Sequence, residues 1–239
     1  MDLERIRERA STAERVVVMT GAGVSAESGV PTFRGGGGAA VWRGMDAATL
    51  SSADMVGANL PLVWEWFEYR RGLLAACAPN AAHRAIAKWH ERFPRLTLVT
   101  QNIDGLHQKA GSRDVLELHG NIWRGRCVRC GAREEPLATP LAEIPPRCAQ
   151  CGGDLRPDVV LFGELLPMEV FERASLEAAS ADLCFVVGTS SVVYPAAELP
   201  RVAARAGALV VEVNPEPSGV GGPNAVTLAG RAGDVLPLI

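Results

Sequence analysis

Apolar residues in this chain fall into short unbroken runs separated by longer stretches with helical spacing. Arg15–Thr20 (RVVVMT), Leu96–Thr100 (LTLVT), Asp182–Val187 (DLCFVV) and Ala208–Val213 (ALVVEV) are rich in β-branched residues and too short for core helices. Strands buried on both faces, as in a parallel sheet, have this signature. Each run stops at polar or glycine-containing residues: Gly21-Ala-Gly23, Gln101-Asn102, Gly188-Thr189-Ser190 and Asn214-Pro215. Between them, Leu60–Cys77, Ala81–Glu91, Met168–Ala181 and Pro195–Ala206 have helical composition, and Asn80 is placed to cap the second. The alternation predicts an α/β fold with a Rossmann-like, doubly wound parallel sheet, whose ligands bind beyond the carboxyl ends of the strands. Several polar strand ends therefore converge on one crevice.

The segment Asn121–Pro157 breaks the rhythm. It carries Cys127-Val-Arg-Cys130 and Cys148-Ala-Gln-Cys151, with residues 131–147 between the pairs. A two-residue gap lets both thiolates of a pair reach one ion, and two such knuckles complete the closed tetrahedral site of structural Zn²⁺. Four cysteines leave no open position for a catalytic water, so the metal is a staple and the chemistry lies elsewhere. Disulfides are the competing reading, disfavoured by an intracellular composition. The expected organisation is a Rossmann-like domain from residues 1–120 and 158–239 with a small inserted four-cysteine zinc-ribbon module at 121–157. The 35–80 loop and helical segment would form the rest of the small domain.

Bulk properties narrow the function classes. At 239 residues the chain can hold one large domain with an insertion. A net charge of −3 argues against a general nucleic-acid binder. The ribbon's Arg124, Arg126, Arg129, Arg133 and Arg147 lack the interleaved aromatics of a stacking surface. Met1–Ala10 (MDLERIRERA) is charged throughout, unlike a secretory signal, and no apolar stretch is long enough for a membrane span. Cys77 and Cys184 sit in apolar contexts and read as buried free thiols, which suits a reducing cytoplasm. A cytoplasmic monomer with no membrane partner and no specific nucleic-acid partner is expected.

The first polar strand end contains G-x-G-x-x-A at Gly21, Gly23 and Ala26. Such glycines let backbone amides approach a pyrophosphate, and the following helix N-terminus attracts its charge. A tight structural turn would use the same residues. The usual dehydrogenase layout adds a second strand and a ribose-binding acid about 20 residues on. Here that stretch runs through Thr32-Phe-Arg34 into four glycines, Gly35–Gly38, which cannot form a stable strand. The chain thus binds a dinucleotide without the hydride-transfer layout, which points to the cofactor being consumed.

Taken together the motifs resemble those of sirtuins. GAGVSAESGVPTFRG (Gly21–Gly35), TQNIDGLH (Thr100–His107), ELHG (Glu117–Gly120), LRPDVVLFGE (Leu155–Glu164), GTSSVVYPAA (Gly188–Ala197) and VNP (Val213–Pro215) occur in that family's order. The cysteine knuckles fall between the third and fourth, where sirtuins carry zinc. The first motif, with Thr32 where many sirtuins have aspartate, is similar to the class III branch.

The resemblance implies removal of acyl groups from lysine side chains with consumption of NAD⁺. Nicotinamide leaves, the acyl oxygen attacks the ribose, a ribose hydroxyl attacks the resulting imidate, and water releases lysine and 2′-O-acyl-ADP-ribose. It also implies roles. His119 of ELHG is the general base, and an ordinary imidazole pKa near ~6.5 suits that task. Asn102, grouped with it as catalytic, and Gln101 contact the ribose; Ile103 and Asp104 receive the nicotinamide carboxamide. Gly21, Ala22, Gly23, Thr32, Phe33 and Arg34 line the pyrophosphate and nicotinamide ribose. Gly188, Thr189, Ser190 and Asn214 lie against the adenosine ribose and phosphates, with Ala232 at the adenine. Val160, Leu161 and Phe162 form the strand that pairs with the acylated peptide. His107, His83 and His90 are not the base, and the latter two read as packing or surface residues.

Class III members that prefer succinyl or malonyl groups carry Tyr-x-x-Arg. Here Phe67 and Arg70 take those positions. Arg70 can pair with an acyl carboxylate, whereas Phe67 lacks the phenolic donor, forfeiting about 1.5–3 kcal/mol. Deacetylation is expected, with desuccinylation or demalonylation weakened. An ADP-ribosyltransferase on the same fold is the alternative, and an inactive binding module is disfavoured by intact His119, Asn102 and Asp104.

Overall fold

A computed structural model of the chain describes residues 2–31, 41–220, 222 and 225–239. Its strands are β1 (Arg15–Thr20), β2 (Val41–Trp42), β3 (Met45–Asp46), β4 (Arg95–Thr100), β5 (Leu116–Glu117), β6 (Gly120–Cys127), β7 (Arg133–Glu134), β8 (Leu155–Val159), β9 (Leu183–Val187), β10 (Leu209–Asn214) and β11 (Val226–Ala229). Six of them form one sheet in the order β11-β10-β9-β1-β4-β5, with every neighbouring pair parallel. From β1 the chain winds outward through β4 and β5, then returns to β9 on the opposite side and winds outward again. The reversal between β1 and β9 is a topological switch point, where open α/β sheets bind ligands.

Period-two alternation in the apolar runs explains why helices cover both faces. Val16 and Val18 point into one core, with Phe185 and Val211, against Ile6 and Ala10 of the Asp2–Thr12 helix and Ile86 and Trp89 of the Ala81–Arg92 helix. Val17 and Met19 point into the other, with Cys184 and Val210, against Ala174 of Met168–Ala179 and Ala203 of Leu199–Arg205. A third cluster joins Trp64 and Phe67 of the Leu60–Ala75 helix to Ile122, Cys127, Cys148 and Leu155. It underlies a separate antiparallel sheet, β7-β6-β8. Buried Arg71 ties that helix to the ribbon by donating to the carbonyls of Leu137 (2.8 Å) and Ala138 (2.7 Å) and to Thr139 Oγ1 (2.7 Å).

The elements follow the sequence reading with three differences. The charged N-terminal segment is an amphipathic helix, because Ile6 and Ala10 lie one turn apart and both are buried. The expected Pro195–Ala206 helix divides into a 3₁₀ turn, Ala196–Glu198, and a helix from Leu199 with Pro200 in its first turn. The glycine motif opens into a seven-residue 3₁₀ helix, Ala22–Ser28, ended by left-handed Gly29. The four-glycine run lies outside the described residues.

Candidate active site at the switch point

The crevice is built by backbones that only glycine allows. Gly21 N–H donates to Val187 O (3.1 Å) and Gly23 N–H to Gly188 O (2.8 Å), stitching the turn after β1 to the end of β9. A Cβ on Gly23 would lie 2.8 Å from the Gly188 Cα, and one on Gly188, at φ +59°, would lie 2.3 Å from the Val24 nitrogen. The two turns are locked together, with Ala22 partly accessible beside them.

Polar strand ends close the ring. Gln101 Nε2 donates to Thr189 Oγ1 (3.2 Å), and Asn214 Nδ2 donates to Thr189 O (3.2 Å). Ser190 follows on the same half-buried loop. The Ala232–Val235 helix is brought in by Glu27, whose carboxylate accepts from Gly233 N–H at 2.8 Å; Ala232 itself is buried. Thr32, Phe33 and Arg34 lie outside the described residues.

Behind the glycine turn, Ser25 Oγ is the hub of a buried network. It donates to Asp104 Oδ2 (2.8 Å), accepts from Asn102 Nδ2 (3.1 Å) and meets His83 Nε2 (3.3 Å). The Asn80 N–H points at His83 Nδ1 (3.3 Å), which makes Nδ1 the acceptor and Nε2 the protonated nitrogen. Burial holds His83 at a pKa of about 4, so the ring is neutral. Asp104 also accepts from Leu106 N–H (2.8 Å), and burial raises its carboxyl above the ordinary range. The Ile103 carbonyl accepts from Ile122 N–H (2.9 Å) and the Asp104 carbonyl from Trp123 Nε1 (2.7 Å), so the ribbon strand β6 braces this loop. His107, pushed by burial to about 3, meets Thr20 Oγ1 at 3.0 Å and is a neutral core residue.

His119 stands apart from that network. Its Nδ1 lies 2.8 Å from the Gln101 carbonyl, an acceptor, so Nδ1 carries the proton and Nε2 keeps its lone pair. Burial lowers its pKa below 6.5, partly opposed by the Gln101 bond. A neutral imidazole in a fixed tautomer, half-buried at the strand end, can accept a proton.

The residues expected to hold peptide lie next to it. Val160 N–H donates to His119 O (2.9 Å) and Leu161 N–H to Glu164 Oε2 (2.9 Å). The expected strand over Val160, Leu161 and Phe162 is not formed, since β8 ends at Val159 and Phe162 also pairs within the chain: its N–H donates to Ser51 O (2.9 Å) and its carbonyl accepts from Ala53 N–H (3.0 Å). Its ring is half exposed. Arg156, buried beneath, forks onto the Glu164 carboxylate and fixes this loop. Phe67 is buried, and the Arg70 guanidinium lies 5.6 Å above its ring and above that of Trp66. Among the described residues no acid pairs with Arg70; burial lowers its pKa to about 10, which still leaves it charged at neutral pH.

In the ribbon the four sulfurs of Cys127, Cys130, Cys148 and Cys151 lie within 4.8 Å of one another, with Cys127–Cys151 at 3.5 Å and Cys130–Cys148 at 3.7 Å. Tetrahedral Zn–S bonds of ~2.3 Å require sulfurs about 3.8 Å apart, so the thiolates fit Zn²⁺. The amides of Cys130 (3.5 Å) and Arg129 (3.4 Å) point at Cys127 Sγ, hydrogen bonds that suit a ligating thiolate.

Ser25, Trp123, Arg156 and Glu164 have no role in the sequence reading, and His83 is read there only as a packing or surface residue; Ser25, Arg156 and Glu164 lie inside the motifs named above. His83 had a local signal, its i, i+3 spacing from capping Asn80, but its link to Ser25 spans 58 residues.

Comparison with known proteins places this arrangement. The Sir2 family model matches residues 21–195. A NAD-dependent protein deacylase of Aquifex aeolicus (strain VF5) is 53% identical over 201 residues, covering 84% of this chain and 83% of that protein. NAD-dependent protein deacylase 2 of Pyrobaculum aerophilum is 50% identical over 228 residues, covering 95% and 90%. A crystal structure of a Sir2 homolog–NAD complex superposes with a TM-score of 0.89 at 38% identity, covering 98% of this chain and 91% of the other. The chain, with its switch-point crevice and four-thiolate ribbon, belongs to the Sir2 family.

Proposed function

We propose that the crevice binds NAD⁺ as a co-substrate and that the protein is an NAD-dependent protein-lysine deacylase. The observation that carries this reading is the His119 imidazole, on the turn between β5 and β6, its Nδ1–H held by Gln101 O and its Nε2 without a partner among the described residues. Relatives at 53% and 50% identity bear the same activity in their names, and solved neighbours hold NAD or ADP-ribose. A further neighbour, with a TM-score of 0.84 and 31% identity, holds a deacetylated p53 peptide with 3′-O-acetyl ADP ribose.

In this reading NAD⁺ supplies an activated ribose, and the side chains bind, orient and move one proton. With the Gly21 and Gly23 amides spent on β9, the turn brings the Ala22 backbone to the pyrophosphate, while Gln101, Thr189, Ser190 and Asn214 hold the ribose end. Asn102, held by Ser25, and Asp104, held by Ser25 and Leu106 N–H, orient the reacting ribose and the carboxamide. His119 Nε2 takes the proton from a ribose hydroxyl. Thr32, Phe33 and Arg34 complete the cofactor set by family resemblance. Val160, Leu161 and Phe162 lie at the peptide by family resemblance, and zinc holds the ribbon that braces the Asp104 loop through Trp123. The division into residues 1–120 with 158–239 and an inserted 121–157 module is consistent with the separate core around the cysteines.

For the acyl group, Phe67 without a hydroxyl supports acetyl-lysine as substrate and weakened turnover of succinyl-lysine or malonyl-lysine, while Arg70, with no acidic partner among the described residues, keeps its guanidinium for an acyl carboxylate. The enzyme acts as a cytoplasmic monomer in this reading; no helix among the described residues is long and apolar enough to cross a membrane. Mass spectrometry of an acetylated peptide incubated with NAD⁺ tests it. Deacylated peptide, nicotinamide and acyl-ADP-ribose are expected in equal amounts. A peptide gaining the mass of ADP-ribose would mark a transferase instead.

A further inference from the structure

A second cleft, of about 500 Å³, opens between edge strand β5, strands β6 and β8, and the start of the Met168–Ala179 helix. Val115, Leu116, Leu165 and Val170 supply its apolar wall, and arginines border the rest. Those arginines are arranged unusually. Arg126 faces Arg133 across β6–β7 and Arg156 across β6–β8. Directly opposed residues share one face of a sheet, where like charges destabilise the pairing.

The available acids match the cleft's arginines in number but not in geometry: Arg124, Arg126 and Arg133 share it with Glu117, Asp158 and Glu164. Glu164 is taken by Arg156, and Glu117 by Arg124 at 2.6 Å. Glu135 approaches only Arg124, at 3.6 Å. Arg126 and Arg133 are left with Asp158, met through their Nε atoms at 3.9 and 3.2 Å, and Arg124 shares that carboxylate at 3.2 Å. Their side chains are 42% and 59% exposed, and no residue among those described accepts from their Nη atoms. Two guanidinium forks thus stay open at the rim of an apolar-walled cleft, a geometry that matches a carboxylate. Val160 and Glu164 line the same cleft, so it is continuous with the loop assigned above to the acylated polypeptide.

We propose that this cleft is a docking subsite for an acidic side chain of the protein substrate, flanking the acylated lysine and held by Arg126 and Arg133. The inference rests on the deacylase reading and adds a sequence preference to it. Arg126 and Arg133 are not among the residues assigned to the cofactor or to proton transfer, so the subsite acts on substrate affinity and leaves the chemical step alone.

The test uses acetyl-lysine peptides that differ only in carrying Asp, Ala or Lys at each position within four residues of the acetyl-lysine, at saturating NAD⁺. At one flanking position wild type should favour Asp over Lys by about tenfold in kcat/KM, expressed in KM, as two half-exposed ion pairs allow. The preference should fall below about twofold in Arg126→Ala/Arg133→Ala and invert in Arg126→Glu/Arg133→Glu, with turnover of the uncharged peptide retained. In the alanine variant the buried Asp158 keeps Arg124 at 3.2 Å, and a cooperative thermal transition checks that the fold is intact. Anisotropy of a fluorescein-labelled Asp peptide reads the same preference without turnover. Equal kcat/KM for Asp and Lys peptides at every position, or a preference that survives the double alanine substitution, would overturn the subsite. Inertness of wild type toward every peptide would remove the deacylase reading and the subsite with it.

Discussion

Whether an imidazole accepts protons at neutral pH depends on what its other nitrogen does and how dry its surroundings are. For His119 burial lowers the pKa below 6.5 and favours the neutral form, while the Gln101 carbonyl partly opposes that shift but fixes the proton on Nδ1, leaving Nε2 to accept. The base must be unprotonated, so activity is present above its pKa and lost as pH falls through it. The acid limb of kcat/KM should therefore have its midpoint below 6.5; a midpoint at 7 or higher would contradict the assignment. The motif around His119 was legible in the sequence, but the tautomer was not, since Gln101 lies 18 residues away. Phe67→Tyr should restore a phenolic donor near Arg70 and raise the succinyl-to-acetyl ratio of kcat/KM by roughly one to two decades. An unchanged ratio would mean that Phe67 does not face the acyl group.

Among the elements, the Ala81–Arg92 helix shows how a cap serves a site. Asn80 accepts from the amides of Ala82 (2.9 Å) and His83 (3.3 Å), while its Nδ2 donates to Val24 O (2.8 Å) and Ser28 Oγ (3.1 Å). Asn80→Ala should cost about 1–2 kcal/mol and lower Tm, because it removes the cap and unties the glycine turn together. A loss under a few tenths would show that water replaces the cap. His83 and His107, held near 4 and 3, carry a pH signature. Their folded pKa values are depressed from 6.5, so their contribution is complete above pH 6.5 and lost as pH falls toward 4 and then 3. Denaturant midpoints should be flat above pH 6.5 in this respect and fall below it, less steeply in His107→Asn. The Asn80 cap was legible because capping is local. The burial of both histidines was not, since it depends on β1 and the glycine turn closing over them.

At the scale of the whole molecule, the sheet was readable because strands buried on two faces are apolar at successive positions, as Val16–Met19 of RVVVMT shows. The β6–β8 ribbon was readable only through its cysteines. Its arginine row required knowing that Arg126 sits opposite Arg133 and Arg156, a register set by tertiary pairing. The zinc staple joins the scales, since the ribbon braces the Asp104 loop through Trp123 and holds the Leu60–Ala75 helix through Arg71. Cys127→Ala, or chelation, should release zinc, loosen the ribbon and lower activity indirectly. Zinc-free protein with intact structure and turnover would show that the metal is dispensable. The most direct test of the whole account is the turnover of acetyl-peptide to acyl-ADP-ribose by His119→Ala, with NAD⁺ affinity and zinc content measured on the same sample. Formation of acyl-ADP-ribose should fall by about 10²–10⁴-fold while NAD⁺ affinity and zinc stay at the wild-type level. Wild-type turnover in that variant would contradict the assignment of the base and the mechanism built on it.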